Sequence, residues 1–102
     1  MTPSPRTLVA GAHSKMGKAA IDTFLANSDR FELVAGIVRD LNSVDAGIAQ
    51  EFKAKGLRLA DNIEAELQTG KVDILVELTT PDSVFKNSKL ALNSGVHPVI
   101  GA

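Results

Sequence analysis

Two glycines six positions apart enclose a short loop that could hold a phosphate group. The loop consists of Gly11, Ala12, His13, Ser14, Lys15, Met16 and Gly17. Gly11 permits a tight turn after an apolar run, and Gly17 lets a following helix pack closely against that run. The first turn of such a helix has free backbone N–H groups and a positive dipole end, which attract an anion. The loop therefore predicts phosphate binding, and the alternative interpretation is an ordinary turn with two structural glycines.

Three side chains inside this loop bear on that chemistry. Ser14 stands where a middle glycine would let the backbone come closest to a pyrophosphate. Its hydroxyl can donate to a phosphate, whereas its Cβ can hold the phosphate away. Lys15 adds a positive charge near the phosphates or is simply solvated. His13 either covers the nucleotide or is an exposed turn residue, and without an identifiable carboxylate partner we predict no catalytic role for it.

A second candidate site follows the next apolar run, at Val38-Arg39-Asp40. In nucleotide-binding sheets an acid at this position accepts hydrogen bonds from the ribose hydroxyls of NAD, whereas an arginine pairs with the 2′-phosphate of NADP. Because Arg39 stands beside a displaced acid, Asp40, we predict NADP(H), or dual use of NADP(H) and NAD(H). The alternative is that Arg39 is a solvated loop cation.

Polar residues also follow the most apolar run, Val72–Leu78. We expect Thr79 to contact the ribose or pyrophosphate of the cofactor, because Thr80 has a competing role as the N-cap of the next helix. A buried carboxylate needs partners or a raised pKa. We therefore expect Glu77 to be a strand-end acid that reaches solvent, with a role in the site as the alternative.

Alternating strands and helices must position these residues. The predicted strands are Thr7–Ala10, Phe31–Val38, Leu57–Ala60, Val72–Leu78 and His97–Ile100. The predicted helices are Met16–Ala26, Val44–Lys55, about Asn62–Gln68, and a segment that opens at Thr80-Pro81-Asp82 and ends at Gly95. This alternation predicts an α/β fold of the Rossmann type, a parallel sheet with helices on both faces.

Composition limits the other possibilities. The chain has 102 residues, a formal net charge of −1, no cysteine and two histidines. That length suits one domain, residues 1–102. The composition excludes disulfides and argues against nucleic acid, membrane and metal clusters as partners. No signal-peptide pattern opens the chain, so we expect a cytoplasmic protein.

Three segments together resemble one enzyme family, 4-hydroxy-tetrahydrodipicolinate reductase (dihydrodipicolinate reductase), in its N-terminal domain. They are the loop from Gly11 to Gly17, the stretch Val72–Asp82, and Asn93–Gly101. The family has a G-A-x-G-[RK]-M-G loop, a strand ending in D-F-T-x-P, and a helix leading to G-V-x-x-V-x-G-T-T-G. The resemblance covers nearly the whole chain.

The resemblance implies roles for the residues at matching positions. Gly11 through Met16 would contact the pyrophosphate and adenosine side of the cofactor, and Arg39 would meet the 2′-phosphate. Leu78 and Thr79 would border the nicotinamide half, and Gly101 would begin the nicotinamide loop. The family implies hydride transfer from NAD(P)H to a cyclic dicarboxylate imine in lysine and diaminopimelate synthesis, by an enzyme that is usually tetrameric.

The chain departs from the family pattern at several positions. Ser14 replaces the second glycine, Glu77 the aspartate and Leu78 the aromatic residue, and Ala102 stands where the family has threonine. The catalytic histidine and lysine of the family belong to a second, C-terminal substrate domain outside these residues. We therefore expect a piece of a longer, homo-oligomeric enzyme, with a truncated sheet and no activity alone. The alternative is a shortened, inactive relative of the family. A nucleotide or coenzyme A sensor, and a pure association domain, are the alternative functions.

Overall fold

The computed structural model describes residues 4–101, and this range contains the predicted strands and helices in the predicted order. A 3₁₀ turn over Leu41–Ser43 is additional. The elements are β1 (Arg6–Ala10), α1 (Lys15–Ala26), β2 (Glu32–Ile37), α2 (Ala46–Ala54), β3 (Leu59–Ala60), α3 (Ile63–Leu67), β4 (Ile74–Glu77), α4 (Pro81–Asn93) and β5 (His97–Ile100).

Most boundaries lie within two residues of the predicted ones, and local capping explains some of the differences. Helix α2 begins at Ala46 and not at Val44, because the Asp45 carboxylate caps it by accepting from the amide of Gly47 at 2.8 Å. Helix α1 begins one residue earlier than predicted, directly after its N-cap, Ser14. The local chemistry of single polar side chains therefore sets these ends.

The five strands form one parallel sheet in the order β3-β2-β1-β4-β5. The chain builds outward from β1 to β3, then crosses back and adds β4 and β5 on the other side of β1. The loops after β1 and β4 therefore leave the sheet on opposite faces, which opens a crevice at the carboxyl ends of these strands. The α/β prediction is confirmed.

Helices cover both faces of the sheet. On one face, Val9 from β1 packs with Ile21 from α1 and Phe52 from α2, all fully buried. On the other face, Leu75 from β4 packs with Leu67 from α3, among other buried side chains. Burying such side chains contributes about 1.5–3 kcal/mol each. The strands are thus covered from both sides, and the carboxyl-end loops are what remains accessible.

Strand β5 lies at one edge of the sheet. It pairs with β4, and within residues 4–101 no strand lies on its outer side. Two large apolar side chains on it are exposed, Val99 to 46% and Ile100 to 57%.

A bidentate ion pair ties the amino ends of β1 and β4 together. The Arg6 guanidinium donates from Nε and Nη2 to the two carboxylate oxygens of Asp73, at 3.1 Å each, and the Arg6 amide donates to the same carboxylate at 2.8 Å. The side-chain hydrogen bond from Arg6, followed by the one from its amide, lowers the pKa of Asp73 below its ordinary value.

This lowered pKa makes the contribution of Asp73 to stability dependent on pH. A carboxyl group whose pKa is lower in the folded state stabilises the fold above its unfolded pKa and loses that effect as the pH falls through the folded one. At pH 6 we expect the Asp73→Asn variant to have a lower free energy of unfolding than wild type. We expect this difference in free energy to become smaller as the pH falls below about 4. Urea unfolding across this range measures it. A difference that stays constant down to pH 2.5 would contradict the ion pair as its source.

Candidate functional site

The loop after β1 is held in a closely packed conformation that requires glycine. Gly11 has a φ of +81°, and a Cβ at this position would lie 2.5 Å from the carbonyl oxygen of Leu78. A Cβ on Gly17 would overlap the carbonyl of Gly11. The amides of Gly11 and Ala12 both donate to the carbonyl of Ile37, at 3.0 and 3.1 Å. The loop is therefore fixed between β2 and β4, and both glycines have the packing role that the sequence predicts.

Ser14 caps helix α1 with its hydroxyl. Its Oγ accepts from the amide of Gly17 at 3.0 Å and donates to the carbonyl of Gly11 at 2.7 Å. The hydroxyl proton is thus engaged within the loop, which does not favour the predicted donation to a phosphate. The amides of Lys15 and Met16 donate to no acceptor within residues 4–101. Free amides at the start of a 12-residue helix remain the groups best placed to meet an anion.

A cavity of about 580 Å³ opens beside this loop, between the carboxyl ends of β2 and β4 and the start of α4. Six of the residues proposed for the site line it, namely Gly11, His13, Ser14, Arg39, Leu78 and Thr79. The remaining lining residues are Ile37, Val38, Asp61, Ile63, Thr80, Ser83, Lys86 and Asn87. The structure thus brings together residues from four separate loops, as a ligand that spans the crevice requires.

The other proposed residues lie elsewhere around the loop. Ala12 and Gly17 are buried and serve packing, and Lys15 is exposed outside the cavity lining. Met16 and Gly101 do not line the cavity. Gly101 follows β5, which lies on the other side of β1 from β2, the strand that precedes Arg39. A Cβ on Gly101 would overlap the Leu78 side chain and lie 3.7 Å from the Met16 Cε. Met16, Leu78 and Gly101 therefore form an apolar group, which we call the apolar corner. Leu78 belongs both to this group and to the cavity lining.

Three expectations about polar side chains need correction. Glu77 does not reach solvent: it is fully buried, and its Oε1 accepts from both the amide and the hydroxyl of Thr79. The Thr79 hydroxyl therefore already donates to Glu77, which does not favour its predicted contact with the cofactor. Thr79 was preferred to Thr80 because the Thr80 side chain was expected to cap α4, and that reason was wrong. Thr80 holds the N-cap position, but its side chain makes no capping hydrogen bond, and it lines the cavity.

The acid beside Arg39 also has a different role from the one considered. The Asp40 carboxylate accepts from the Asn42 amide at 3.0 Å and from the Ser43 hydroxyl at 3.1 Å, so it stabilises the 3₁₀ turn. The carboxylate that lines the cavity is Asp61, which accepts from the Leu41 amide at 3.0 Å. Position after the strand indicated Asp40, which the structure uses within its own turn, and gave no indication of Asp61.

Sequence reasoning missed the lining residues contributed by the third and fourth crossovers. These are Asp61, Ile63, Ser83, Lys86 and Asn87. A signal was present for the last three, which recur at i, i+3 and i+4 in α4 and so share a face of that helix. Asp61 and Ile63 gave no comparable signal, because the strand before them is only two residues long.

A larger cavity, of about 720 Å³, lies at the other end of the sheet. It is lined by residues at the amino ends of the strands, including Arg6, Phe31 and Asp73. Its arginine and aspartate are already paired with each other. Parallel α/β sheets bind ligands at the carboxyl ends of their strands, so the 580 Å³ cavity is the candidate site.

A parallel sheet in this strand order, with a glycine loop and a free helix amino end at the switch point, defines the class of Rossmann-type dinucleotide-binding domains. The sequence profile described as "Dihydrodipicolinate reductase, N-terminus" matches residues 5–102. The chain therefore belongs to the dihydrodipicolinate reductase family and corresponds to its N-terminal domain.

Individual relatives agree with this assignment. The chain is 36% identical to 4-hydroxy-tetrahydrodipicolinate reductase of Desulfitobacterium hafniense, over 94% of this chain and 36% of that protein. It is 38% identical to the Lysinibacillus sphaericus reductase, over 96% and 37% of the two chains. The structure of dipicolinate-bound dihydrodipicolinate reductase from Paenisporosarcina sp. TG-14 superimposes with a TM-score of 0.80 at 32% identity, over 98% of this chain and 38% of that one. This chain thus spans little more than a third of the length of these relatives.

Other features of the described residues bear on partners. Within residues 4–101, histidine, aspartate and glutamate side chains form no group of three that could hold a metal ion. No helix in the same range has the length and apolarity needed to cross a membrane.

Proposed function

We propose that this chain binds NADP(H), and NAD(H) more weakly, as the cofactor domain of a 4-hydroxy-tetrahydrodipicolinate reductase. One observation supports the proposal: the cavity beside Arg39 and the apolar corner both adjoin the glycine loop, and Leu78 belongs to both. A dinucleotide whose pyrophosphate rests on the free amides of Lys15 and Met16 would place its adenosine toward Arg39. Its nicotinamide would then lie at the apolar corner.

The residues at each end suit these two halves of the cofactor. Arg39 is exposed and forms no ion pair within residues 4–101, so its guanidinium is free to meet a 2′-phosphate. Met16, Leu78 and Gly101 offer an apolar surface to a nicotinamide ring, which supplies the hydride when the cofactor is bound. We propose that Leu78 substitutes for the aromatic residue of the family by packing against this ring.

The apolar corner contains no side chain that can donate a proton. Reduction of an imine requires a proton as well as a hydride, and a dicarboxylate substrate requires cations to bind it. We propose that these groups come from a second, substrate-binding domain, and that this chain alone turns over no substrate. We propose also that the intact enzyme is a cytoplasmic homo-tetramer. Its place would be in the synthesis of lysine and diaminopimelate.

Calorimetric titration with NADPH, NADH and coenzyme A tests the cofactor assignment. We expect NADPH to bind most tightly, NADH more weakly, and coenzyme A not to bind. Arg39→Ala should weaken NADPH binding by roughly tenfold and change NADH binding by less than about twofold, because only NADPH loses a charge-assisted hydrogen bond.

The matched control is Arg30→Ala, which removes an exposed arginine from the turn between α1 and β2, at the other end of the sheet. This variant should bind both cofactors as wild type does. If wild type failed to bind NADPH and NADH at millimolar concentration, the dinucleotide assignment would be wrong. If Arg39→Ala weakened NADPH and NADH binding equally, the role of Arg39 at the 2′-phosphate would be excluded, and the dinucleotide assignment would stand.

A further inference from the structure

Two cations from elements far apart in the sequence line the same cavity. Arg39 follows β2, and Lys86 lies in the second turn of α4. Both line the 580 Å³ cavity, and both side chains are exposed. Because they lie 47 positions apart in the sequence, only the tertiary fold brings them to the same cavity.

The geometry of α4 explains why Lys86 lies at the cavity. Ser83, Lys86 and Asn87 occupy positions i, i+3 and i+4, so they share one face of the helix. Asn87 is 91% buried and Ser83 is half-buried, which shows that this face is turned toward the body of the domain. Lys86 stands at the exposed border of that face. Lys89, one turn further along, is also exposed but does not line the cavity.

Neither cation is neutralised by a protein carboxylate. Within residues 4–101 the ion pairs involve Arg6, Lys55 and Arg58, and neither Arg39 nor Lys86 takes part in one. The one carboxylate in the cavity lining, that of Asp61, already accepts a hydrogen bond from the Leu41 amide.

This balance of charge favours a particular chemical group. Two free cations and one carboxylate leave the lining with an excess positive charge. The hydroxyl pair of an unmodified ribose gains little from a second cation. A phosphate monoester carries close to two negative charges at neutral pH and has three acceptor oxygens, so it can engage both cations.

We propose that Lys86 is a second specificity-determining residue, which acts with Arg39 to hold the 2′-phosphate of NADP(H). The assignment rests on the proposed function, since it takes the adenosine half of the cofactor to lie in this cavity. Arg39 approaches the phosphate from the β2 side and Lys86 from the α4 side. Selection for NADP(H) over NAD(H) then depends on both elements and not on the β2 loop alone.

The test compares NADPH and NADH binding to four proteins: wild type, Lys86→Ala, Arg39→Ala and the double variant. We expect Lys86→Ala to weaken NADPH binding about five- to tenfold and to leave NADH binding within about twofold of wild type. The double variant should bind the two cofactors equally within about twofold. Lys89→Ala is the matched control, because it removes the same charge from the same helix outside the cavity.

Each outcome decides a different point. If Arg39→Ala loses preference for NADPH and Lys86→Ala does not, the inference about Lys86 is wrong and the proposed function stands. Equal losses of NADPH and NADH in Lys86→Ala would show that the lysine contacts a part of the cofactor other than the phosphate. If wild type binds neither cofactor, the proposed function and this inference both fail. Because Lys86 is exposed and unpaired, the urea midpoint of Lys86→Ala should match that of wild type.

Discussion

Gly11→Ala is expected to lower the free energy of unfolding by about 3–4 kcal/mol and to abolish cofactor binding. An L-residue in this left-handed conformation costs roughly 1–2 kcal/mol. The new Cβ would also lie 2.5 Å from the Leu78 carbonyl oxygen, a backbone atom held in place by the hydrogen bond from the Leu78 amide to Ala10. The loop must therefore shift away from β4, which displaces the helix amides that we propose meet the pyrophosphate. Urea unfolding and NADPH titration measure the two effects.

The chain offers a matched control for this substitution at Gly70. Its φ is +74°, close to the +81° of Gly11, but no atom lies within 4 Å of a Cβ built on it. Gly70→Ala therefore carries the conformational cost alone, about 1–2 kcal/mol, and should leave NADPH binding unchanged. The additional loss of unfolding free energy in Gly11→Ala, relative to Gly70→Ala, therefore measures the steric overlap with the residue after β4. If the two variants lost the same free energy of unfolding, the loop after β1 would be able to shift away from Leu78 without an energetic cost.

Glu77→Ala is expected to lower the free energy of unfolding by about 2–3 kcal/mol. The carboxylate accepts from both the amide and the hydroxyl of Thr79. Its removal leaves the amide without this acceptor, leaves the hydroxyl only the Thr80 carbonyl at 3.5 Å, and creates an empty volume at a fully buried site. Part of this loss is offset, because the other oxygen, Oε2, is buried without a hydrogen-bond partner within residues 4–101 and its burial is itself unfavourable. We expect the loss of the two hydrogen bonds and the packing defect to outweigh that relief.

Two further variants serve as comparisons for Glu77→Ala: one retains the hydrogen bonds to Thr79, and the other changes a neighbouring side chain. Glu77→Gln retains a carbonyl oxygen that can accept from Thr79, so its loss should be about 1 kcal/mol or less. Thr80→Ala should cost less than about 0.5 kcal/mol, because the Thr80 side chain makes no capping hydrogen bond. All three are measured by urea unfolding. A Glu77→Ala protein as stable as wild type would mean that the contacts of Glu77 with Thr79 contribute no net stability.

The sequence was sufficient for the fold because its signals agree with one another. The most apolar run became β4, next to the central β1 and covered on both faces, and Gly11 and Gly17 have the tight-turn and close-packing roles expected of them. The strand His97–Ile100 was predicted with its exact ends. Periodicity and glycine position are local properties of the chain, and they determine such elements directly.

The parts that could not be predicted depend on which polar groups meet in space. Asp40 and Asp61 both stand close after a strand, and only the fold shows that Asp40 closes its own turn whereas Asp61 lines the cavity. The same holds for Glu77, whose carboxylate bonds back to Thr79 instead of extending to solvent. Short-range hydrogen bonds that fold back on the chain leave no periodic pattern in the sequence.

We expect the outer edge of β5 to promote association of this polypeptide at high concentration. On its outer side, where no strand pairs with it within residues 4–101, β5 presents unpaired amide and carbonyl groups beside the exposed side chains of Val99 and Ile100. The β5 strand of a second molecule can pair with it across a two-fold axis, which joins the two sheets and closes the contact as a dimer. Light scattering that rises with protein concentration, and falls when Ile100 is exchanged for lysine, would be its signature in solution.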